Sequence, residues 1–262
     1  MKFIAFVSAK GGTGRTTLAA NLGVILSREG HRVLVLDCDP QNALGTHLGM
    51  TPGLRVGIAE GSSSDEIIEY LAAQRGEVPY VPFGARDHDD LQQAESTLLA
   101  DSGWLLRRVL EIVPSGTELV LIDTPAGERV WTEHVLEMAH VIVGVHLPDA
   151  ACFATLPVMV AMLERRFRVS EQRPAVWHVL NQMESRSKLA RDAEFLLRRH
   201  LGERLMPCSV PRDPVVGEAW AKQLPVALHS PATGAVAALR ELKEHLLTPL
   251  VDLQRHTANV CR

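Results

Sequence analysis

The fold prediction for this chain starts from the glycine-rich segment Ser8-Ala9-Lys10-Gly11-Gly12-Thr13-Gly14-Arg15-Thr16-Thr17. This segment follows an apolar run of strand length at residues 3–7. It precedes a helical pattern whose apolar face carries Leu18, Leu22, Ile25 and Leu26. Between a strand and a helix, glycines let the backbone curl so that successive N–H groups point inward, and the helix N-terminus adds partial positive charge. A tight turn without a ligand is the alternative. The flanking strand and helix favour a phosphate-binding loop, in which the hydroxyl of Thr16 is placed to hold Mg²⁺.

The glycine pattern resembles one variant of such loops. It does not fit the general pattern G-x-x-x-x-G-K-[ST], because Ala9 stands at the first glycine position. It resembles K-G-G-x-G-K-[ST], the deviant loop of the MinD/ParA family of P-loop ATPases, with Lys10 at the signature-lysine position. In that family two protomers enclose two ATP molecules, and this lysine crosses to the partner's phosphates. The resemblance therefore implies ATP/ADP and Mg²⁺ as cofactors and a homodimer formed on ATP. It also implies a nucleotide held by Gly11, Gly12, Thr13, Gly14, Arg15, Thr16 and Thr17.

One residue departs from the family pattern. Arg15 stands where the family has the loop lysine. Arginine keeps the positive charge, but its planar guanidinium is bulkier and less adaptable than an ammonium group. We expect nucleotide binding to survive this replacement and hydrolysis to be slow, with Lys10, Arg15 and Asp39 as the catalytic residues that the resemblance implies.

Two carboxylates follow the second predicted strand. The apolar run 33–36 leads directly into Asp37-Cys38-Asp39-Pro40-Gln41. Both aspartates therefore lie at the carboxyl end of a strand, where ligands bind in open α/β sheets. The pattern D-x-D-P-Q resembles switch I of the same family, in which the second aspartate contacts the attacking water and the first helps to organise magnesium. The resemblance gives these roles to Asp39 and Asp37. A helix cap is the alternative, because Asp is a common N-cap and Pro suits the first helical turn.

A third segment supplies another carboxylate at a strand end. The run 118–122 ends in Asp123-Thr124-Pro125-Ala126-Gly127. A carboxylate beside the phosphate loop can hold the magnesium shell, and a glycine lets a backbone N–H approach a γ-phosphate closely. The segment resembles the Walker B and switch II segment of the family, usually D-T-P-P-G, with Ala126 in place of the second proline. The predicted metal ligands are Thr16, Asp37 and Asp123, and Gly127 is predicted to contact the nucleotide.

Residues in the last third of the chain resemble the adenine pocket of the family. The strand-like run 175–180 ends in Asn181, whose amide can both donate to and accept from a purine edge. A turn residue is the alternative interpretation of this asparagine. In the family a strand-end asparagine recognises adenine, and the loop after the final strand lines the pocket. The resemblance carries these roles to Asn181, Pro211 and Arg212.

Strand and helix patterns alternate from end to end, which predicts an α/β fold. Together with the resemblance, this indicates a single-domain P-loop NTPase with a mostly parallel central sheet and helices on both faces. The domain is predicted to span residues 1–262, with a flexible tail at 253–262.

Local patterns also predict where elements begin. The glycine- and serine-rich segment 51–64 predicts a surface loop. Ser63 followed by Glu66 has the pattern of a capping box, and Thr155 before Leu156-Pro157 predicts a helix N-cap. The middle region, 51–113, carries no chemistry that the sequence identifies.

Composition narrows the function classes. The chain has 46% hydrophobic and 22% charged residues, as ordinary globular proteins do. A net charge of −4 argues against a dedicated nucleic-acid binder. The four cysteines lack a C-x-x-C pair and the eleven histidines lack metal-site spacing, so reduced thiols and no histidine-based metal site are expected. A strand at the very start predicts no signal peptide, and no apolar run approaches the roughly 20 residues that span a bilayer. We therefore expect a cytoplasmic protein.

Within the family, three phrases resemble the cellulose-biosynthesis branch (BcsQ/YhjQ), at residues 149–157, 179–182 and 201–205. The resemblance implies a nucleotide-dependent accessory of bacterial cellulose synthase and secretion components, recruited through them to the cell pole or inner membrane. DNA is not an expected partner, and membrane contact is expected to be indirect or weak. Two alternatives stay open: a nucleotide-locked scaffold that does not hydrolyse ATP, motivated by Arg15, and a ParA-like ATPase for DNA partition or division-site positioning.

Overall fold

The computed structural model describes residues 1–50, 56–59, 62–74, 76–84, 88–169 and 173–260, without the side chains of 166–169 and 249–260. Within these residues the strands are β1 (Lys2–Val7), β2 (Val33–Asp37), β3 (Tyr80–Val81), β4 (Leu119–Asp123), β5 (Val141–His146), β6 (Ala175–Met183) and β7 (Leu205–Pro211). They form one sheet in the order β3-β2-β4-β1-β5-β6-β7, and every neighbouring pair is parallel. The predicted α/β fold with a parallel central sheet is confirmed.

Helices connect the strands and cover both faces of the sheet. In the described residues they are α1 (Arg15–Arg28), α2 (Leu44–His47), α3 (Ser64–Ala73), α4 (His88–Ala100), α5 (Trp104–Ile112), α6 (Val130–Met138), α7 (Ala150–Val169), α8 (Lys188–Leu201), α9 (Pro214–Ala221), α10 (Val226–His229) and α11 (Gly234–Val260). Parallel strands require such crossovers, and helices on both faces leave the strands buried and almost wholly apolar.

The sheet register brings the predicted site together. β1 lies at the centre, between β4 and β5, and the phosphate loop follows it. Phe6 of β1 pairs with Asp123 of β4, and Asp123 pairs with Asp37 of β2. Because all strands run in the same direction, their carboxyl ends meet at one edge, where the loop and both strand-end aspartates are neighbours.

The core is divided by the sheet. On one face, α1 and α11 pack through residues such as Leu22, Leu239 and Leu242, all buried. On the other face, Ile67, Val109 and Trp131 belong to the core beneath α3 to α6. The part of α11 whose side chains the structure describes thus packs with its apolar stripe inward.

Of the two predicted helix caps, one is confirmed and one is wrong. Ser63 caps α3 and forms the predicted capping box with Glu66. Thr155, in contrast, does not cap a helix, because α7 begins at Ala150 and the Thr155 hydroxyl donates to the carbonyl of Ala151 at 2.9 Å. The side chain of Asp149 accepts a hydrogen bond from the Cys152 amide at 2.7 Å, and the helix starts about six residues before the predicted position, so Pro157 lies inside it.

Parts of two predictions fall outside the described residues. The predicted loop 51–64 includes residues 51–55 and 60–61, which the structure does not describe. The predicted tail at 253–262 overlaps the end of α11 and two undescribed residues, and it stays a prediction. Among the described helices, none combines the length and the apolar character that crossing a bilayer requires.

Candidate nucleotide-binding site

The loop between β1 and α1 has the backbone shape that binds anions. Gly12 and Gly14 have φ angles of +76° and +90°, a region that favours glycine. A Cβ on Gly14 would lie 2.2 Å from Nδ2 of Asn181, so a larger residue does not fit there. The loop opens on a cavity of about 620 Å³ that its residues line together with Asp39 and Arg129. The amides of the loop and of the first turn of α1 thus border a space large enough for a polyphosphate.

Thr16 and Asp123 form a pair of hard oxygen donors beneath the loop. The Thr16 hydroxyl donates to Oδ2 of Asp123 at 2.6 Å, while Oδ1 of Asp123 is buried and has no hydrogen-bond partner within the part of the chain that the structure describes. Burial raises the pKa of Asp123 to about 7, although Arg15 and the Thr16 hydroxyl act in the opposite direction. An unpartnered buried carboxylate oxygen beside a hydroxyl is the donor set that a Mg²⁺ ion takes, and the residues present therefore fit that ion.

Both carboxylate oxygens of Asp37, unlike those of Asp123, accept hydrogen bonds. Asp37 is fully buried, and its Oδ1 and Oδ2 accept backbone N–H bonds from Asp39 at 2.9 Å and from Leu44 at 3.1 Å. Burial, followed by the charge of Asp123, raises its pKa well above the ordinary value. Asp37 therefore shapes the turn after β2, and its predicted role as a metal ligand stays a prediction.

Arg15 connects the two segments that resemble switch I and switch II. Its guanidinium is buried and donates to the carbonyl of Thr124, and Nη2 lies 3.7 Å from Oδ2 of Asp39. The Thr124 hydroxyl in turn donates to the carbonyl of Phe6 at 2.7 Å. Asp39 also accepts a bond from the Gln41 amide at 3.0 Å. The guanidinium thus lines the cavity but is held by the ends of β2 and β4.

Lys10 is paired within its own chain. Its Nζ lies 2.9 Å from Oδ2 of Asp149, and the two side chains are 28% and 35% exposed. The hydrogen bond to Asp149 is the main cause that raises the pKa of Lys10. The lysine predicted to reach a partner's phosphates is therefore charged, accessible and held at the N-terminus of α7.

Gly127 closes the turn after β4 against the phosphate loop. Its φ is +74°, and its N–H donates to the carbonyl of Ser8 at 2.8 Å. A Cβ at this position would lie 3.6 Å from the carbonyl oxygen of Ala9. The close approach of the backbone that the glycine permits is present, while its contact with a nucleotide phosphate stays a prediction.

Asn181 reaches the loop from the end of β6. Its Nδ2 donates to the carbonyl of Thr13 at 2.7 Å, and the neighbouring Gln182 donates to the carbonyl of Gly12 at 3.3 Å. A second cavity, of about 520 Å³, lies next to it and is lined by Asn181, Pro211 and Arg212 among others. Arg212 forms an exposed ion pair with Glu184. The three residues predicted to surround adenine are therefore brought to one cavity.

Two aromatic residues that line the cavity beside the phosphate loop could not be predicted from the sequence. His47 lies with Nε2 3.4 Å from the Thr17 hydroxyl and stacks on Trp220, with ring centroids 6.1 Å apart. Burial lowers the pKa of His47 to about 4, so the ring is neutral at physiological pH. Trp220 on α9 is 52% exposed and lines the same cavity. No motif marks either residue, because only the packing of α2 beside α9 brings them together.

Comparison with known proteins agrees with this geometry. The family model described as cellulose biosynthesis protein BcsQ matches residues 1–247. The chromosome-partitioning ATPase Soj of Thermus thermophilus is 28% identical over 246 residues, which are 93% of this chain and 94% of Soj.

Solved structures share the fold. The septum site-determining protein MinD of Pyrococcus horikoshii OT3, complexed with Mg-ADP, matches with a TM-score of 0.70 and 23% identity, over 93% of this chain and 95% of MinD. Cobyrinic acid a,c-diamide synthase of Mycobacterium smegmatis, with a bound ATP analog and magnesium, matches with a TM-score of 0.74 and 22% identity, over 94% of each chain.

Proposed function

We propose that this chain functions as an ATP-dependent dimerising switch that serves bacterial cellulose biosynthesis. The chain belongs to the BcsQ family of MinD/ParA-type P-loop ATPases. The observation that carries the nucleotide part is the buried Oδ1 of Asp123, which has no hydrogen-bond partner among the described residues, on a carboxylate whose Oδ2 accepts the Thr16 hydroxyl. MinD of P. horikoshii was solved with Mg-ADP, and the synthase of M. smegmatis with an ATP analog and magnesium, which supports the same ligands here.

Binding is divided between the two cavities. The loop amides and the N-terminus of α1 take the phosphates, and the second cavity, with Asn181 at its entrance, takes the base. Thr16 and Asp123 would hold Mg²⁺, which when bound supplies positive charge that neutralises the phosphate oxygens. Asn181 must exchange its bond with the Thr13 carbonyl for contact with adenine, because its amide is engaged in the present conformation.

Hydrolysis depends on Asp39. Oδ1 of Asp39 is fixed by the Gln41 amide, while Oδ2 faces Arg15 at 3.7 Å and is the oxygen that can orient a water. That water adds to the γ-phosphorus, the bond to the ADP oxygen breaks, and the water proton passes to solvent. Because the Arg15 guanidinium is bound to the ends of two strands, it stabilises the transferring phosphoryl group less well than a mobile lysine, and turnover is slow.

Dimerisation depends on Lys10. The lysine leaves Asp149 when a second protomer presents its phosphates, because a polyphosphate carries more negative charge than one carboxylate. ATP therefore shifts the population toward a dimer, and its surface is read by other proteins. The cellulose components as partners rest on the family match alone.

The experiment measures ATP turnover and dimerisation on the same purified samples, for wild type, Lys10→Ala and Arg15→Lys. A cycling switch requires that wild type hydrolyses ATP and that Lys10→Ala loses both turnover and the dimer. A wild type that dimerises on ATP while only Arg15→Lys turns over identifies a nucleotide-locked scaffold. In the organism that encodes the chain, Lys10→Ala is expected to reduce the cellulase-sensitive glucan it secretes, and unchanged glucan contradicts the cellulose role.

A DNA-partition ATPase is the second candidate, favoured by the 28% identity with Soj, a chromosome-partitioning ATPase. Such a function requires binding to nonspecific DNA that weakens steeply with salt. The net charge of −4 opposes it. Binding of a fluorescent duplex in ATP and Mg²⁺, measured at several salt concentrations, decides between the two, since the cellulose switch predicts no salt-dependent binding.

A further inference from the structure

Three side chains with metal-binding atoms meet on the side of the sheet covered by α11. They are Cys208 on β7 and Glu241 and His245 on α11, and their ligand atoms all lie within 4.8 Å of one another. None of these three residues lines either of the two cavities of the candidate nucleotide site. We propose that Cys208, Glu241 and His245 form a Zn²⁺ site that joins the C-terminal helix to the edge strand of the sheet.

The placement of the three residues is a consequence of the fold. Glu241 and His245 are four residues apart, so they lie one above the other on the same face of α11. Leu239, Leu242 and Leu246 of the same helix are buried in the core, which fixes the rotation of the helix against the sheet. Cys208 lies on β7, 33 residues before Glu241 in the chain, and its thiol meets the side chains of Glu241 and His245.

The donor set suits zinc. Zn²⁺ binds thiolate sulfur, imidazole nitrogen and carboxylate oxygen in tetrahedral sites, and soft thiolate ligands select against Mg²⁺ and Ca²⁺. Three protein ligands leave a fourth position for water. The cluster runs from the buried Cys208 through the half-buried His245 to the exposed Glu241, so an ion can enter from the solvent side. The ring of His245 also packs against Trp177, with centroids 6.4 Å apart, which restricts its rotation.

Without a metal, Cys208 is a thiol at neutral pH. Burial, with the charge of Glu241 as a second cause, raises its pKa to about 11. Binding therefore forms a zinc–sulfur bond and releases the thiol proton to solvent, as metal binding to cysteine requires. No oxidant or reductant takes part in this step.

The site would stabilise one wall of the second cavity. Val210 and Pro211 of β7 and Ala235 and Leu239 of α11 line that cavity, and the three ligands lie on the same two elements. A metal that joins β7 to α11 would hold this wall in place. The inference does not depend on the proposed function, because neither the ligands nor the test involves a nucleotide.

The test uses Co²⁺ as a spectroscopic substitute for Zn²⁺. The full chain is treated with a chelator, returned to excess Mg²⁺ and titrated with Co²⁺. A near-ultraviolet thiolate-to-cobalt band is expected to saturate at one equivalent and to disappear when Zn²⁺ is added. Oxygen ligands at the nucleotide site give no thiolate band, and a band that disappears in Cys208→Ser does not come from Cys38, the buried thiol between Asp37 and Asp39. Absence of the band in wild type overturns the proposal.

Variants assign the ligands. Cys208→Ser should abolish the band, and Glu241→Gln and His245→Asn should each weaken Co²⁺ binding by about tenfold or more. Cys152→Ser and His200→Asn are the matched controls and should leave the titration unchanged. A band that persists in Cys208→Ser rejects the site. If circular dichroism shows that Cys208→Ser does not fold, Glu241→Gln becomes the test, because the exposed side chain of Glu241 tolerates substitution. Co²⁺ binding as tight in Glu241→Gln as in wild type then rejects the site.

Discussion

Lys10 at the start of the phosphate loop is bound to Asp149 at the N-terminus of α7, with Nζ 2.9 Å from Oδ2. The two residues are 139 positions apart and meet because β1 and β5 are neighbours in the sheet. Asp149 also accepts the Cys152 amide at 2.7 Å, so one carboxylate both starts a helix and holds the lysine. In the proposed switch, this ion pair competes with dimerisation.

Asp149→Asn should strengthen the ATP-dependent dimer. An asparagine keeps the cap on α7 but releases Lys10. A partly exposed ion pair contributes about 0.2–1 kcal/mol, and two are broken per dimer, so the dimer dissociation constant should fall by between about twofold and thirtyfold. Analytical ultracentrifugation in ATP and Mg²⁺ measures it. Asp101→Asn is the matched control, because Asp101 also accepts a backbone amide and pairs with an arginine, away from the site. Equal dimer constants in wild type and Asp149→Asn contradict the competition.

Arg15→Lys should raise ATP turnover by about tenfold, because a flexible ammonium can leave Thr124 and Asp39 and follow the phosphate. Arg15→Ala should instead destabilise the fold, since it leaves the buried carboxylate of Asp39 without its cation. Steady-state phosphate release and thermal unfolding check the two variants. Turnover in Arg15→Lys no higher than in wild type would show that the guanidinium does not limit hydrolysis.

Asp123→Asn should separate folding from metal binding. Without nucleotide, the melting temperature should not fall, because the substitution removes a buried carboxylate whose Oδ1 has no hydrogen-bond partner in the described residues. Saturating ATP and Mg²⁺ at about 100 times the dissociation constant should stabilise wild type by about 2.7 kcal/mol and the variant far less. Differential scanning fluorimetry with and without Mg²⁺ measures both effects. An equal ligand-induced shift in the variant would exclude Asp123 from the metal site.

Asn181→Ala should weaken ATP binding by about tenfold and reduce the preference for ATP over GTP, because a buried amide that pairs with the base contributes about 1–2 kcal/mol. Gln182→Ala is the control, since Gln182 is the next residue and contacts the loop from a more exposed position. Titration with fluorescent nucleotides measures both affinities. Retained discrimination in Asn181→Ala would assign the base to other groups.

The pair His146 and His178 should make stability fall in acid. The rings are buried and hydrogen-bonded, with Nε2 of His146 2.9 Å from Nδ1 of His178. Burial lowers their pKa values to about 4 and about 3. The unfolded chain therefore binds more protons below its ordinary histidine pKa of about 6.5, so the stability is complete above that pH and is lost as pH falls toward 4.

For a shift of this size the loss is on the order of 3 kcal/mol per histidine at pH 4. Urea unfolding from pH 8 to pH 4 measures it, and the double variant His146→Leu/His178→Leu should show a smaller loss than wild type. His47 and His140 retain their own lowered pKa values of about 4 in that variant, so some acid sensitivity remains. A double variant with the same pH profile as wild type would refute the assignment.

Local signals account for the part of this molecule that could be predicted. Apolar runs of strand length, followed by a glycine-rich stretch in one case and directly by aspartate in two, predicted the order of β1, β2 and β4 and the position of the loop. A parallel sheet then places the ends of these strands at one edge, so Thr16, Asp37 and Asp123 were expected together. The wrong prediction at Thr155 has the same origin, because a local cap pattern competes with Asp149, whose side chain starts α7 earlier.

The fold class, the phosphate loop and the strand-end carboxylates were predictable, because each depends on residues adjacent in the chain. The contact of Lys10 with Asp149, the contacts of Arg15 with Thr124 and Asp39, and the approach of Cys208 to the pair on α11 are visible only in the folded chain. Such contacts join elements far apart in sequence. Each contact depends on which helix packs on which strand and on the rotation of that helix about its axis. Buried side-chain packing sets the pairing and the rotation, and no short sequence pattern encodes that packing.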